Sequence, residues 1–440
     1  MPETTPDVQL PRIVIVGGGA GGLVLATLLG RKLGKKKLAS VILADTQLTH
    51  IWKPLLHEVA AGSLNPYEDE LNYFAQAHRN HFEFQPGTLT GLDRERKVIL
   101  LDDMKDTDGE KVLDARELSY DYLVLAVGSV TNDFGTTGAQ DFSIHLDTRQ
   151  QAEYFHRTML NHYYRAEASG KTEALGIVIV GAGATGVELA AEVHHAIPVL
   201  ARYGLDRIQP ADVTITLVES GSRILSGLDD RTAAEAHKEL EKIGVQVLLN
   251  ESVSEVSADG ITTKSGRFVS AQLRVWSAGV KAPDFMKGLA GLHNERGNTL
   301  VVDDFLRTDD PYIFALGDCA YCNAQTASGK RRAVPPRAQS AFLQAKWLTK
   351  HFPDLMAGNP VPAFEYRDYG SLISLSEART VGNLMGNLTG RVNVDGYIAR
   401  LMYVSLYRRH QAVLYGWTRT FIFVLRDLLI RKSGPRLKMH

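Results

Sequence analysis

The chain has 440 residues, enough for two or three domains of ordinary size. Lys+Arg is 49 against 50 Asp+Glu, a formal net charge of −1, with 22% charged and 44% hydrophobic residues; this globular mix excludes a disordered chain and a generally basic nucleic-acid-binding one. The only cysteines, Cys319 and Cys322, exclude a disulfide framework, are too few for a four-ligand zinc or iron–sulfur site, and point to a reducing compartment.

The opening MPETTPDVQLPR carries two acids and no apolar core, so it does not read as a secretory signal. The next stretch, IVIVGGGAGGLVLATLLG, is apolar enough to suggest a membrane span, but its six glycines and the break after Val16 argue for a strand (Ile13 to Val16), a glycine turn and a helix. Gly17, Gly19 and Gly22 satisfy G-x-G-x-x-G there. The first glycine permits the turn, the second lets backbone approach a pyrophosphate, and the third lets helix and strand pack closely, while the helix N-terminus attracts the phosphate charge. VILAD (41–45) predicts a second strand ending in Asp45, the acid expected to hold a ribose hydroxyl. It lies 28 residues after Gly17, the excess over the usual spacing being taken up by RKLGKKKLA, whose cations read as a solvated loop.

YLVLAVGS (122–129) predicts a strand ending at Gly128, and a helix follows from Thr148 to about Ser169 with Gly170 as its stop. GIVIVGAGATGVELA (176–190) then repeats RIVIVGGGAGGLVLA (12–26) with ten identities in fifteen positions and no gap. An offset of 164 residues is a second dinucleotide-binding unit, not a short-period repeat. Its glycines are Gly181, Gly183 and Gly186, and the strand in VTITLVES ends in Glu219. An acid at that point bonds ribose hydroxyls and repels a 2′-phosphate, favouring NADH over NADPH; Arg223 could receive that phosphate, but no second arginine stands beside it. A helix near Asp230–Ile243, a strand at Val245–Leu249, LRVWSAGV (273–280) with Gly279, and IFALGDCA (313–320) complete the pattern. Two cradles in one chain imply two dinucleotides facing each other, the layout for hydride transfer between nicotinamide and flavin.

From Arg400 to His440 there are nine basic residues and one acid, Asp427, so the tail carries +8 and the rest −9. No run reaches the length of an uncharged membrane span. At helical spacing Trp417, Phe421, Val424 and Leu428 share one face, with Arg419 and Arg426 opposite and Ile422, Phe423 and Ile430 interrupting the polar side. The pattern fits an amphipathic helix in an anionic lipid interface, or a helix docked on the acidic body.

The Gly-Asp at Gly317–Asp318 resembles the FAD motif of the two-dinucleotide-domain flavoproteins, which implies that Asp318 holds the ribityl chain, that FAD belongs with Gly17, and that NADH belongs with Gly181. Disulfide reductases of that superfamily carry a redox cysteine pair after the first fingerprint or in the nicotinamide domain, and sulfide:quinone reductases carry dispersed cysteines; this chain has neither. Cys319 and Cys322 read as small residues flanking a turn. Over nearly its whole length the chain resembles the type II NADH:quinone oxidoreductases, in VGGGAGG (16–22), IWKPLLHE (51–58), GAGATGVELAAE (181–192), WSAGVKAPDF (276–285), ALGDCA (315–320), VPPRAQ (334–339), GSLISLS (370–376), LMGNLTG (384–390) and GPRLKMH (434–440).

That resemblance implies a single-subunit, non-proton-pumping respiratory enzyme with non-covalent FAD, using NADH to reduce ubiquinone or menaquinone. It gives Glu188 a proton-handling role near flavin and nicotinamide, alongside a favourable place in a helix N-terminal turn. The family's A-Q-x-A-x-Q motif is matched by Ala338, Gln339 and Ala341, with Leu343 at the final glutamine position and Gln344 one residue later; Gln339 is the residue expected to bond a quinone carbonyl. Lys53 is counted with Gly128 and Gly279 among cofactor-lining residues, and neither Lys53 nor His57 is given a catalytic role. The expected architecture is α/β, with two Rossmann-like domains and a C-terminal membrane-associating region. Residues 1–147 and 286–358 are expected to bind FAD, 148–285 NADH and 359–440 the membrane. The expected setting is peripheral, on the cytoplasmic face of a bacterial inner membrane, as a homodimer. A soluble NADH-dependent flavin reductase, or a flavin-binding regulatory scaffold, is the competing reading.

Overall fold

The computed structural model describes residues 10–106, 108–171, 174–326, 329–375, 380–386, 390–395, 405, 408–433 and 437. Contacts divide the chain into two units: Met1–Trp52, Glu70–Val130 and Lys281–Arg367 form the first, and Lys53–Asp69, Thr131–Val280 and Asp368–His440 the second. These crossings differ from the expected borders after residues 147, 285 and 358. The chain leaves the first unit just after Gly128, because Thr131 already donates to Asp147 at 2.8 Å and Ile144–His145 already pairs with Leu273–Trp276. The segment Lys53–Asp69 joins the second unit although both its flanks belong to the first.

In the first unit a five-stranded sheet runs in the order Ile313–Ala315, Tyr122–Leu125, Arg12–Val16, Ser40–Asp45, Glu83–Pro86. All four pairings are parallel, with Ile13 opposite both Val41 and Tyr122. A parallel sheet is covered on both faces, which is why its central strands, RIVIV and SVILAD, are near-continuous apolar runs rather than alternating ones. The helices Gly22–Leu29 and Ala338–Met356 pack together in this unit. The Gly-Asp turn at residues 317–319 follows the edge strand Ile313–Ala315 directly, and so stands at the same sheet end as Gly17.

The second unit repeats the plan with strands Ile144–His145, Leu273–Trp276, Leu175–Val180, Val213–Val218 and Gln246–Leu248, again parallel. Helix Arg149–Ser169 begins at Thr148 with a capping box to Gln151 and stops at Gly170, whose φ of 66° is the left-handed conformation that glycine adopts without strain. The short helix Leu56–Ala61 packs against both Arg149–Ser169 and Ala184–Arg202. Further on come an antiparallel meander, Gly370–Ser374, Thr380–Gly386 and Gly390–Asp395, and the helix Trp417–Ser433.

Candidate dinucleotide cradles and a buried carboxyl–imidazole pair

In the first cradle Gly17 donates to Ala44 O at 2.8 Å and has φ +101°; a Cβ there would collide with the carbonyl of Ala126. Around Gly19 there is nothing within 4 Å of where a Cβ would stand, which leaves the approach that a pyrophosphate needs. Asp45, at the strand end, accepts from Gly18 N at 2.5 Å and from Gln47 N at 2.7 Å. Burial raises its carboxyl pKa and the backbone donors oppose the rise. From the other side the buried Tyr73 hydroxyl donates to Gly18 O at 2.8 Å. The loop is therefore fixed at both polar groups of Gly18, and no side chain caps helix Gly22–Leu29.

The second cradle is built the same way. Gly181 donates to Val218 O at 2.8 Å with φ +100°, and a Cβ there would lie 2.6 Å from Ala278 N. Glu219 accepts from Ala182 N at 2.9 Å and from Gly221 N at 2.8 Å, the counterpart of Asp45 on Gly18. Gly183 is open like Gly19, Gly186 packs on the Gly181 carbonyl like Gly22 on Gly17, and no side chain caps helix Ala184–Arg202. Arg223 is engaged locally: it donates to Leu228 O and Ser226 O and meets Asp230 Oδ1, each at 3.0 Å. Two open glycine turns, each beside a strand-end acid and an uncapped helix, fit two dinucleotides.

Gly128 and Gly279 take positive φ just beyond their strands, at 72° and 65°, and a Cβ at Gly279 would strike the Phe134 ring. Asp318 accepts from Ser129 Oγ at 2.8 Å. Gly317 N, at φ 75°, donates to Gln344 Oε1 at 2.8 Å, so the buried Gln344 carboxamide holds the Gly-Asp turn. Gln339 and Leu343, on the same helix, are half-buried. Lys53 Nζ meets Asp147 at 3.0 Å within the second unit. Cys319 Sγ points at the carbonyls of Leu125 and Leu316, and burial pushes the Cys319 and Cys322 thiols up to about 11 and about 12, so neither supplies a thiolate near neutral pH.

Glu188 is 6% exposed. Its Oε1 accepts from Ser374 N at 3.0 Å, and its Oε2 lies 3.6 Å from His57 Nδ1. Burial, with the nearby carboxylates of Glu58 and Glu192, raises Glu188 to about 8, against the opposing Ser374 N–H. Burial lowers the fully enclosed His57 to about 4. Near neutral pH the pair is a carboxylic acid beside a neutral imidazole, not an ion pair. His57 is the residue that sequence reasoning left without a role. Its only signal is membership of IWKPLLHE, since nothing in spacing tells that Leu56–Ala61 lies on Ala184–Arg202.

On helix Trp417–Ser433 the exposed apolar side chains are Trp417, Phe421, Ile422 and Leu425, while Val424 is half-buried, so the exposed stripe is rotated toward Leu425 from the expected face. Arg419 is exposed, and the Arg426 guanidinium stands over the Phe423 ring at 5.7 Å. The side chain of Leu428 lies outside the described residues. Among the described residues no helix is long and apolar enough to cross a membrane.

The profile of the family described as "Pyridine nucleotide-disulphide oxidoreductase" matches residues 11–345. The chain is 40% identical over 98% of its length to the whole of a type II NADH:quinone oxidoreductase from Haemophilus influenzae. It is 27% identical to the Mycobacterium tuberculosis type II NADH:quinone oxidoreductase NdhA, over 93% of this chain and 87% of that one. Among solved structures, NDH2 from Plasmodium falciparum in complex with NADH superposes with a TM-score of 0.79 at 20% identity, covering 98% of this chain and all of that one. The class is thus a two-cradle pyridine-nucleotide oxidoreductase. Within it, the chain belongs to the type II NADH:quinone oxidoreductases.

Proposed function

We infer that this chain is an FAD-dependent NADH:quinone oxidoreductase, oxidising NADH and reducing a quinone without pumping protons. The observation that carries the reading is the duplicated cradle, each copy with a strand-end acid bonded to its own loop, in a chain with no thiolate to take the electrons elsewhere. FAD supplies the two-electron carrier between donor and acceptor. Gly17, Gly19, Gly22, Asp45 and Asp318 would hold it, with Gly128 beside them, and Gly181, Gly183, Gly186 and Glu219 would hold NADH, with Gly279 beside them; Lys53 belongs with the cofactor-lining residues. The acids orient the ribose hydroxyls, and Glu219 together with a locally engaged Arg223 disfavours a 2′-phosphate. Glu188, which keeps a proton near neutral pH, is the residue we assign to give one up when quinol forms. Gln339 is the residue we assign to a quinone carbonyl, with Leu343 and Gln344 as neighbours.

Attachment to the membrane is peripheral in this reading, through Trp417, Arg419, Phe421, Arg426 and Leu428 on the cytoplasmic face of a bacterial inner membrane. The exposed Trp417, Phe421, Ile422 and Leu425 support it, as do the basic residues of the tail. A homodimer is proposed on the family resemblance. Anaerobic stopped-flow spectroscopy tests the function: NADH should bleach the flavin absorbance, and a short-chain ubiquinone should restore it within the catalytic cycle time. Bleaching without restoration would replace quinone by another acceptor.

A further inference from the structure

The pair formed by Glu188 and His57 has a third member. His57 Nε2, completely buried, has no hydrogen-bond partner among the described residues, and the nearest charged atom is Glu58 Oε1 at 4.0 Å. Glu58 is a quarter exposed, whereas Glu188 and His57 are shut off from solvent. One side chain thus reaches water, one is an imidazole whose Nε2 faces Glu58 and whose Nδ1 lies beside Glu188 and also meets the Pro54 backbone, and one is a buried acid. A buried nitrogen with no partner is a cost that an apolar side chain of similar size would avoid. The gaps of 3.6 and 4.0 Å are shorter than the roughly 5 Å an intervening water needs. Small side-chain motions, easiest for the partly exposed Glu58, therefore close them directly.

We propose that Glu58, His57 and Glu188 form a proton relay that reloads Glu188 from solvent, so that one of the two protons taken up in quinol formation enters along this line. The proposal rests on the quinone reading above. The balance is simple: the quinone gains two electrons and two protons, one of these leaving the Glu188 carboxyl. The resulting carboxylate takes the proton from His57 Nδ1, His57 Nε2 takes one from Glu58, and Glu58 takes one from bulk water. The imidazole is then left with its proton on Nε2, and proton exchange with water, Nε2 releasing one proton and Nδ1 taking one, restores its first tautomer with no residue changed at the end.

Other charged or titratable groups around the line are few among the described residues. Glu192, on the same helix as Glu188, is nearly buried and receives the Ser63 hydroxyl at 3.1 Å; its charge helps to keep a proton on Glu188. From helix Arg149–Ser169, His156 packs over Gly62, beyond the other end of helix Leu56–Ala61. From the meander the contact is backbone, Ser374 N on Glu188 Oε1. His57 itself is neutral near neutral pH, the state in which one nitrogen can accept while the other donates.

The test uses the holoenzyme and the variants His57→Gln, Glu58→Gln and Glu188→Gln. Infrared spectroscopy identifies the protonated Glu188 carbonyl band by its loss in Glu188→Gln, and rapid mixing with D2O follows its isotope shift. We expect the band to survive in His57→Gln at pH 7 with its exchange slowed at least tenfold, and Glu58→Gln to slow it severalfold. In stopped-flow the ratio of quinone-driven reoxidation to NADH-driven bleaching should fall about tenfold in His57→Gln. Exchange in both variants as fast as in the parent would overturn the relay. If His57→Gln fails to retain flavin, Glu58→Gln, altered at a partly exposed side chain, decides alone: unchanged exchange there overturns the proposal. Should the parent protein itself not respond to quinone, the quinone reading fails, while the exchange comparison still judges the relay.

Discussion

Asp45 and Glu219 each accept a backbone N–H from the middle residue of the glycine loop they face, Gly18 and Ala182, so each acid shapes its cradle. An ionised carboxylate has about four acceptor sites, and Glu219 spends three on its loop, two on backbone N–H groups and one on the Ser220 hydroxyl, which leaves an acceptor for a ribose hydroxyl. Glu219→Ala should raise the KM for NADH roughly tenfold or more, since it removes charged hydrogen bonds of about 1.5–3 kcal/mol each. Steady-state kinetics checks this, and NADPH should gain little, because Arg223 stays tied to Leu228, Ser226 and Asp230. Gly17→Ala should abolish flavin retention, as its Cβ has no room beside Ala126 and a positive φ adds about 1–2 kcal/mol of strain. Flavin absorbance of the purified variant reads it out. For the buried pair, the native state holds a proton on Glu188 up to about 8, where an unfolded glutamate loses it near 4.5, so stability falls as pH rises through that window. His57, lowered to about 4 from 6.5, acts oppositely between those values. The two cancel up to 6.5 and leave a net loss from 6.5 to 8, of order 2 kcal/mol. In Glu188→Gln, urea-unfolding midpoints at pH 6 and pH 8.5 should lie closer together than in the parent.

At the scale of elements, the helix Ala338–Met356 holds the Gly-Asp turn by a hydrogen bond from Gly317 N–H to Gln344 Oε1, with Ala341 packed against the same glycine. Gln344→Leu strands that N–H in a buried place, a loss of about 1–3 kcal/mol, and should speed flavin release several- to a hundredfold in a dilution assay. The cradle elements were legible in the sequence because their glycines are demanded by sterics: Gly17 and Gly181 at positive φ, Gly22 and Gly186 against a carbonyl. Thr148 and Gly170 likewise announced a helix through chemistry local to its ends. Helix Leu56–Ala61 could not be read in the same way. Its place depends on packing against helices that begin about 90 and 130 residues later, so the meeting of His57 with Glu188 leaves no trace in spacing. Two of the unit crossings were hidden for a related reason: Val130/Thr131 and Val280/Lys281 fall inside short strands whose residues carry no boundary signal.

The whole molecule places its exposed apolar stripe on the Trp417–Ser433 helix, within a tail of net charge +8. Trp417→Ser with Phe421→Ser should cut binding to anionic vesicles about tenfold or more, at roughly 25 cal/mol per Å² of apolar surface withdrawn from water. Sedimentation with vesicles, repeated at high salt to weaken the cationic share, separates the two contributions.

The order of the first sheet bears on how the chain is made. Its edge strand Ile313–Ala315 leaves the ribosome about 190 residues after its partner Tyr122–Leu125, with the second unit's five-stranded sheet synthesised between them. At typical elongation speeds that is an interval of roughly 10–40 s. During it, a buried, apolar strand presents an unpaired edge to every neighbouring nascent chain. Slowing synthesis between Gly128 and Ile313 should therefore lower soluble yield, while a chaperone that shields strand edges should raise it.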